Sequence, residues 1–267
     1  MTLETSHYIC KTPLRVSLLG GGADFDKYLL KKPRYILGMG INHFIHMNAY
    51  SMPGIFLKRS RFQYSKTEEV EDFSKIEHPV IKAVLEKYGI KNGINLSIAS
   101  DFPSGTGLGS SSCFTCGLIN LIKTFNKETI SNDDLAYEAI TLEQKILKEN
   151  VGIQDQILCS LGGLRLLKLE KQGFSSLFKN DLYKNILQKL SSTSFIVYTN
   201  IQRSSSEVHT SIEKNIKKDE IIEGISDIAE AFINEYSKTN HTWELLSECI
   251  KSSWELKKKV SISENQK

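Results

Sequence analysis

The 267-residue chain has no stretch that approaches the roughly 20 consecutive apolar residues of a membrane-spanning helix. Its N-terminus lacks a basic segment followed by a long apolar core, the pattern of a secretory signal. Five cysteines, an odd number spread widely along the chain, argue against a disulfide framework and fit reduced thiols better. These absences predict a cytoplasmic protein with no membrane partner.

An excess of charge of one sign is also missing, because 34 Lys and Arg stand against 31 Asp and Glu, a formal net charge of +3. The basic residues are scattered, and the denser runs at 214–218 and 257–259 are short. Solvated helix faces explain such runs better than a surface that follows nucleic-acid phosphates. We therefore expect no nucleic-acid partner. The composition does not predict an oligomeric state.

The first half of the chain carries a strand, a glycine-rich loop and a helix in succession. Residues 94–99 alternate between apolar and polar side chains, as in a strand with one buried face. From Phe114 to Phe125 the apolar residues recur at helical spacing. The loop between them reads Pro103, Ser104, Gly105, Thr106, Gly107, Leu108, Gly109, Ser110, Ser111 and Ser112.

A glycine-rich turn that leads into a helix presents free backbone N–H groups and the positive end of the helix dipole to a phosphate. The three glycines allow close approach, and serine hydroxyls can bind phosphate oxygens or a magnesium ion. The loop is neither a P-loop nor a dinucleotide fingerprint. A flexible helix cap is the alternative, and the preceding strand and the three serines favour phosphate binding.

Other elements follow from periodicity. A strand at 14–19 runs into three glycines at 20–22, and a helix is predicted from Ser131 to near Asn150. Residues 164–169 and 194–199 have the pattern of further strands, and residues 221–232 form the apolar stripe of a helix. The change to a mostly helical pattern places a domain boundary between residues 168 and 169.

The glycine-serine loop resembles the central ATP-binding motif of the GHMP kinases, the family of galactokinase, homoserine kinase, mevalonate kinase and phosphomevalonate kinase. Residues 12–24 resemble the family's N-terminal motif, and residues 143–155 resemble the segment with its metal-ligand glutamate and catalytic aspartate. The triple glycine before Asp24, together with residues 151–156 and 199–204, is most similar to the bacterial D-glycero-D-manno-heptose-7-phosphate kinase branch.

The resemblance implies a two-domain α/β (α+β) fold with the active site between the domains. Residues 1–168 would form an ATP-binding domain of sheet and helices, and residues 169–267 a ferredoxin-like domain. Family members usually carry a third glycine-rich motif late in the chain, whereas the last glycine here is Gly224. We therefore expect the second domain to be incomplete.

The resemblance also implies roles for single residues. Asp155 would accept or orient the proton of the acceptor hydroxyl, and Arg15 would lie nearby and stabilise the transferred charge. The alternative for Asp155 is a helix cap. Glu143 would bind Mg²⁺ with Ser111 or a neighbouring serine, whereas Glu138 and Glu149 are alternative carboxylates.

On the substrate side, Gly21, Gly22 and Asp24 would contact the sugar, although Asp24 could equally be a turn residue. Arg203 could hold a phosphate already present on the substrate, although an exposed arginine is the commoner outcome. The cofactors implied are ATP and Mg²⁺, and the implied partner is a small sugar or sugar phosphate.

Together these roles imply an ATP-dependent kinase that acts on a sugar hydroxyl, with a heptose 7-phosphate as the favoured acceptor. A catalytically impaired ligand-binding protein on the same fold, or a kinase for another sugar, stays open as an alternative.

Two patterns are set aside as metal sites. Cys113 and Cys116 have a zinc-like spacing, but no second pair completes a site, so packing within a helix is expected. His43 and His46 are three residues apart in a predicted strand, and we expect them to point to opposite faces.

Overall fold

The computed structural model describes residues 7–51, 59–90, 93–177, 180–200, 218–236, 238 and 242–261. Over these residues the chain forms one seven-stranded sheet with helices on it. The strands are β1 (His7–Leu19), β2 (Arg34–Ser51), β3 (Ser60–Gln63), β4 (Thr67–Val70), β5 (Ile94–Ser100), β6 (Leu164–Glu170) and β7 (Gly173–Ser176). The helices are α1 (Asp26–Leu29), α2 (Pro79–Lys87), α3 (Ser110–Phe125), α4 (Asn132–Thr141), α5 (Gln154–Leu161), α6 (Asn180–Thr193), α7 (Lys218–Glu235) and α8 (Thr242–Ser261).

The long strand β2 organises the sheet, whose order is β4–β3–β5–β2–β6–β7. Residues 34–39 of β2 pair with β6, and residues 45–51 pair with β5. Strand β1 runs antiparallel along the other side of β2. Because β2 pairs with β1 on one side and with β5 and β6 on the other, residues far apart in the sequence meet around it.

Helices cover the sheet from two sides. The neighbours Ile36 and Leu37 point to opposite faces, as successive strand residues do. Ile36 packs in an apolar cluster with residues of α5, whereas Leu37 packs with residues of α6, α7 and α8. Helix α3 covers the other end of β2, where Met47 and Ala49 are fully buried beneath it.

Several predicted elements are confirmed. Strands β5 and β6, helix α3 and the buried stripe of α7 occupy the expected residues. Ser131 caps α4 by accepting a hydrogen bond from the N–H of Asp134, as predicted. The helix then changes at Leu142–Ile146 into a π-helical turn, which ends it before Asn150. The predicted mixed α/β fold class is therefore correct.

One predicted strand is wrong, and the predicted domain boundary falls within a strand. The strand predicted at 194–199 is wrong, because these residues have no regular structure and Phe195 and Val197 are exposed. The boundary placed between 168 and 169 lies inside β6, so the two predicted domains share one sheet over the described residues. The division into 1–168 and 169–267 stays a prediction. No helix of the described ranges is long and apolar enough to cross a membrane.

Candidate functional site

The glycine-serine loop is attached to β1 at an irregularity in the strand. The register of β1 against β2 shifts between Pro13 and Arg15. At this bulge the backbone N–H of Arg15 donates to the carbonyl oxygen of Leu108, in the loop, over 3.0 Å. Bulges commonly redirect a side chain beside an active site. Here the bulge directs Arg15 to the loop.

The loop adopts a backbone that requires glycine. Gly105, Gly107 and Gly109 have φ angles of +77°, +78° and +71°, in the left-handed region. Gly109 is the N-cap of α3, so no side chain caps the helix. The first bond of the helix runs from the N–H of Cys113 to the carbonyl oxygen of Gly109. The N–H groups at the start of α3 therefore lack partners within the helix, which suits a phosphate.

Arg15 and Asp155 form a bidentate ion pair across this loop. The Nε of Arg15 donates to Oδ1 of Asp155 over 2.7 Å, and its Nη2 donates to Oδ2. Its Nη1 donates to the carbonyl oxygen of Gly107 over 2.8 Å. Burial disfavours the charge, but the carboxylate of Asp155 outweighs burial and raises the pKa of Arg15. The two predicted catalytic residues therefore meet beside the glycine-serine loop.

Asp24 holds the turn that presents Asp155. Its carboxylate is 2% exposed and accepts from the backbone N–H groups of Gly22, over 3.1 Å, and of Gln154, over 3.0 Å. A side chain at Gly152 would collide with this carboxylate, at 1.9 Å from its Oδ2. Burial raises the pKa of Asp24. Asp24 is therefore a turn residue in the structure. It binds the backbone of Gln154, the residue before Asp155.

Glu143 is buried on the π-helical turn, at 1% exposure. Its Oε2 accepts from the hydroxyl of Ser112, over 3.0 Å, and from the side-chain amide of Gln156. Among the described residues, its Oε1 has no hydrogen-bond partner. Burial raises the pKa of Glu143 to about 7. π-helical turns are frequent at functional sites, because they turn a side chain out of the regular helical position.

The contact of Glu143 is with Ser112, whereas the predicted partner Ser111 is exposed. Among the alternative carboxylates, Glu138 pairs with Lys87 and Lys123 away from the loop. Sequence reasoning missed Gln154 and Gln156. The only signal for them was their place on either side of Asp155.

The remaining predicted residues divide into two groups. Gly21 and Gly22 lie at the turn next to Asp24, and Gly22 borders a cavity of about 390 Å³ that is also lined by Glu149 and Val151. Arg203 lies outside the described residues.

In the described part of the chain, no group of three or more His, Cys, Asp or Glu side chains is placed to hold a metal ion. Cys113 and Cys116 are buried in α3, as expected. The expectation that His43 and His46 point apart is wrong. Their ring nitrogens lie 3.8 and 3.1 Å from the carboxylate oxygens of Asp101.

A glycine-rich loop that opens a helix, with an arginine–aspartate pair beside it, is the arrangement of a phosphate-binding α/β protein of the small-molecule kinase type. Residues 74–163 match the family described as GHMP kinases N terminal domain. This match confirms the resemblance to the GHMP kinases that the motifs show.

Known proteins similar to the chain agree with this assignment. A D-glycero-alpha-D-manno-heptose 7-phosphate kinase of Campylobacter jejuni subsp. jejuni is 25% identical over 266 residues, which cover 94% of this chain and 77% of that protein. A galactokinase of Clostridium perfringens is 32% identical over 117 residues, or 43% of this chain and 30% of that protein.

The fold is shared with solved structures. The structure of a D-glycero-D-manno-heptose 1-phosphate kinase from Bacteroides thetaiotaomicron has a TM-score of 0.74 at 22% identity, covering 94% of this chain and 79% of that chain. The Methanococcus jannaschii mevalonate kinase has a TM-score of 0.68 at 19% identity, covering 97% of this chain and 81% of that chain. These structures confirm the GHMP-kinase type of α/β fold.

Proposed function

We propose that this chain is an ATP-dependent sugar kinase that transfers the γ-phosphoryl group of ATP to a hydroxyl of a sugar phosphate, with a heptose 7-phosphate as the favoured acceptor. The observation that carries the proposal is the Arg15–Asp155 pair beside the loop from Pro103 to Ser112. The heptose phosphate is favoured because a curated relative that aligns with 94% of the chain and a solved structure with a TM-score of 0.74 both have heptose phosphate kinase names.

The loop and the start of α3 would bind the triphosphate. Phosphoryl transfer needs positioned phosphates and an oriented hydroxyl more than covalent chemistry from the protein. The N–H groups at Ser110, Ser111 and Ser112 supply donors, and the positive end of the α3 dipole adds to them. Arg15 faces the same loop, because its Nη1 is held by the carbonyl oxygen of Gly107.

Asp155 would take the proton of the acceptor hydroxyl. In the transfer step, a bond forms between the acceptor oxygen and the γ-phosphorus, while the bond from that phosphorus to the β–γ bridging oxygen breaks. ADP leaves with the electron pair of the broken bond, and the hydroxyl proton goes to the carboxylate of Asp155. Arg15 holds that carboxylate in place through hydrogen bonds to both of its oxygens.

The residues around Glu143 fit a magnesium ion. The unpartnered Oε1 of Glu143 and the hydroxyl of Ser112 are hard oxygen donors, the kind that Mg²⁺ prefers. One or two carboxylates suffice, because Mg²⁺ in kinases is also bound by substrate phosphates. A bound Mg²⁺ would neutralise charge that develops on the phosphates. We place Ser112 in this role in preference to the exposed Ser111.

The acceptor would lie on the Asp24 side of Asp155. Gly22 and Val151 line a cavity on that side, and the backbone N–H of Gly22 donates to the carboxylate of Asp24. Arg203, which lies outside the described residues, stays a predicted ligand of the phosphate on the acceptor. The cytoplasm, where ATP is available, is the proposed compartment, and the five unpaired cysteines agree with it.

The test is phosphoryl transfer by the chain itself. ATP is supplied with heptose 7-phosphate, unphosphorylated heptose or galactose, and the products are followed by ³¹P NMR. We expect the heptose 7-phosphate to react fastest, and Asp155→Asn to lower turnover by about a hundredfold or more, because an acid-base residue is lost. ATP affinity, measured by calorimetry, should be nearly unchanged in Asp155→Asn. ATP binding without transfer to any acceptor would instead support the ligand-binding alternative.

A further inference from the structure

Gln156 is a fully buried polar side chain next to the proposed base Asp155 on α5. Successive residues of a helix point about 100° apart, so α5 directs Asp155 to Arg15 and Gln156 into the interior. There the Nε2 of Gln156 donates to Oε2 of Glu143. The Oε1 of Gln156 is buried and has no hydrogen-bond partner in the described part of the chain.

Glu143 has an unsatisfied oxygen of its own beside this amide. Its Oε2 accepts from Gln156 and Ser112, whereas its Oε1 accepts from no donor within the described ranges. Burial raises the pKa of Glu143, and the nearby hydroxyl of Thr115 opposes that rise, but this hydroxyl donates to the carbonyl oxygen of Ser111 over 3.2 Å. Two side chains joined by one hydrogen bond therefore each keep a buried oxygen without a donor.

The chemistry of these two oxygens limits what they can bind. Buried polar atoms nearly always have a partner, and an exception calls for an explanation such as an ion or a water molecule. Carboxylate and amide oxygens only accept hydrogen bonds, so the missing group is a cation or a donor. Besides burial, the carboxylate of Glu149 raises the pKa of Glu143. The pair therefore lies in a region of excess negative charge and excess acceptors, which fits a cation.

The orientation of the amide follows from the charge of Glu143. An ionised carboxylate has no proton to donate, so the amide must direct its NH2 group toward Oε2 of Glu143. This orientation leaves Oε1 of Gln156 as an acceptor beside the carboxylate. The oxygens of amides and carboxylates are hard ligands, the kind that divalent cations such as Mg²⁺ bind. Groups that hold a metal-binding carboxylate by a hydrogen bond also contribute to metal affinity.

We propose that Gln156 is a positioning residue of the Mg²⁺ site, where its N–H group fixes Oε2 of Glu143 and its own Oε1 faces the ion. The proposal rests on the proposed kinase function, in which Glu143 and Ser112 hold Mg²⁺, and it adds a third side chain. Mg²⁺ usually keeps several waters, so Oε1 meets the ion itself or one of its waters. In both cases, a side chain without polar atoms at position 156 weakens the site.

The first test measures how nucleotide binding depends on the metal and does not require turnover. The affinity for a non-hydrolysable ATP analogue is measured by calorimetry in Mg²⁺ and in EDTA, and the ratio of the two affinities is the readout. By linkage, this ratio changes by the same factor as the affinity of the bound nucleotide complex for Mg²⁺. We expect Gln156→Met, which keeps the length of the side chain, to lower the ratio about tenfold and to leave the affinity in EDTA nearly unchanged. A ratio equal to that of the wild type would overturn the proposal.

Gln154→Met is the matched control. Gln154 lies on the other side of Asp155, and its side chain contacts Ser17 and Asp24. We expect the ratio in this variant to equal that of the wild type, whatever happens to turnover. A ratio lowered equally in both variants would show a general disturbance of the turn and would overturn the specific role of Gln156.

Gln156→Glu should change the ratio in the opposite direction, and it tests the proposal even if Gln156→Met does not fold. This variant keeps the size of the side chain and an oxygen, but it adds a negative charge beside Glu143. Two adjacent carboxylates repel one another, and a cation between them removes the repulsion. We therefore expect the ratio to rise severalfold. A bound water in place of the ion predicts no rise, so an unchanged ratio would overturn the proposal. Thermal unfolding confirms that the variants fold.

Failure of this proposal is distinguishable from failure of the kinase function. Phosphoryl transfer by the wild type, with an unchanged ratio in Gln156→Met, would overturn the role of Gln156 and leave the kinase proposal standing. A lowered ratio in Gln156→Met, in a chain whose wild type transfers no phosphate, would support the role of Gln156 at the metal and overturn the kinase proposal. A wild type that binds the ATP analogue in neither buffer would overturn both.

Discussion

Two regions of the molecule are each built on an arginine that pairs with a carboxylate through two hydrogen bonds, and the pairs differ in what remains unsatisfied. Arg34 is fully buried, with Nη1 and Nη2 at 2.6 and 2.7 Å from the carboxylate oxygens of Glu223. Its other donors reach Ser226 and the carbonyl oxygen of Tyr28. Arg15 pairs with Asp155 in the same manner but uses three of its five N–H groups within the described residues.

This difference is what we expect if Arg34 is structural and Arg15 binds a ligand, as proposed above. Every N–H group of Arg34 has a protein acceptor. The pair therefore fixes α7 against β2 and leaves no N–H group for a ligand. Arg15 lies beside the glycine-serine loop, and two of its five N–H groups have no acceptor among the described residues. The geometry of the ion pair does not distinguish the two arginines. The number of N–H groups that have a protein acceptor does.

The largest expected effect breaks the structural pair. Glu223→Gln would leave the charge of Arg34 buried without its counter-ion and lower the free energy of unfolding by about 3 kcal/mol, near the lower end for a broken buried pair because Glu223 is partly exposed. Chemical denaturation measures this loss. Glu220→Gln, an exposed change on the same helix, is the control and should have almost no effect. Equal stabilities of the two variants would contradict a structural role for Arg34.

The same pair should make stability depend on pH. Hydrogen bonds from Arg34 lower the pKa of Glu223 in the folded state. A lowered carboxyl pKa adds stability that is fully present above the unfolded pKa of about 4.3 and is lost as the pH falls through the folded value. The stability difference between wild type and Glu223→Gln should therefore shrink as the pH falls below about 4. A difference that is constant from pH 7 to pH 3 would contradict this assignment.

Two glycines of the loop allow a test of the Arg15–Asp155 pair. A Cβ at Gly109 would lie 2.8 Å from Nε of Arg15, whereas a Cβ at Gly107 would meet nothing within 4 Å, although both have positive φ. Each alanine substitution should cost about 1 kcal/mol in backbone strain. Only Gly109→Ala should also disturb the Arg15–Asp155 pair. We expect it to lower the free energy of unfolding by about 2 kcal/mol in total and to lower turnover. Equal turnover in the two variants would show that Arg15 tolerates displacement.

A smaller effect is expected at Glu143. Glu143→Gln keeps the shape of the side chain but removes its charge, so the Mg²⁺ concentration for half-maximal activity should rise about tenfold or more, since even groups behind the metal ligands contribute that much to affinity. Turnover at increasing Mg²⁺ measures the shift, with Glu149→Gln as the control. An unchanged requirement in Glu143→Gln and a raised one in Glu149→Gln would move the metal site to Glu149.

The smallest effect should come from the exposed pairs around Arg34. Lys32 lies 2.9 Å from Asp227 and 3.4 Å from Glu230, and all three side chains are at least 39% exposed. Lys32→Gln should therefore change the free energy of unfolding by no more than about 0.5 kcal/mol. The change should diminish further in high salt, because exposed charges are screened. A loss as large as that of Glu223→Gln would show that the exposed charges act with Arg34 as one network.

The sequence predicted the elements that are determined by local pattern. Strand β5, the glycine-serine loop and α3 are adjacent in the chain, and their order alone identified the phosphate-binding segment. The Arg15–Asp155 pair joins residues 140 positions apart, and it followed from the family resemblance, not from any spacing. The failed strand at 194–199 has the right alternation, but a strand needs a partner, and sequence pattern does not supply one.

The choice between Ser111 and Ser112 also could not be made from the sequence. Both hydroxyls start the same helix, and only the direction of the π-helical turn selects Ser112 as the contact of Glu143.

The π-helical turn at Leu142–Ile146 has a consequence for comparing and redesigning proteins of this kind. A turn of this type accommodates one residue more than a regular α-helical turn. Deleting one residue within it should restore a regular helix and rotate one flank relative to the other by about 100°, the angle per residue of an α-helix. At present Glu143 contacts Ser112 and, at the same time, Gln144 donates to the carbonyl oxygen of Val151. After the deletion, the two contacts could no longer form together. A homologue with a regular helix here should align with a one-residue gap inside 142–146, and chimeras should be joined outside that turn.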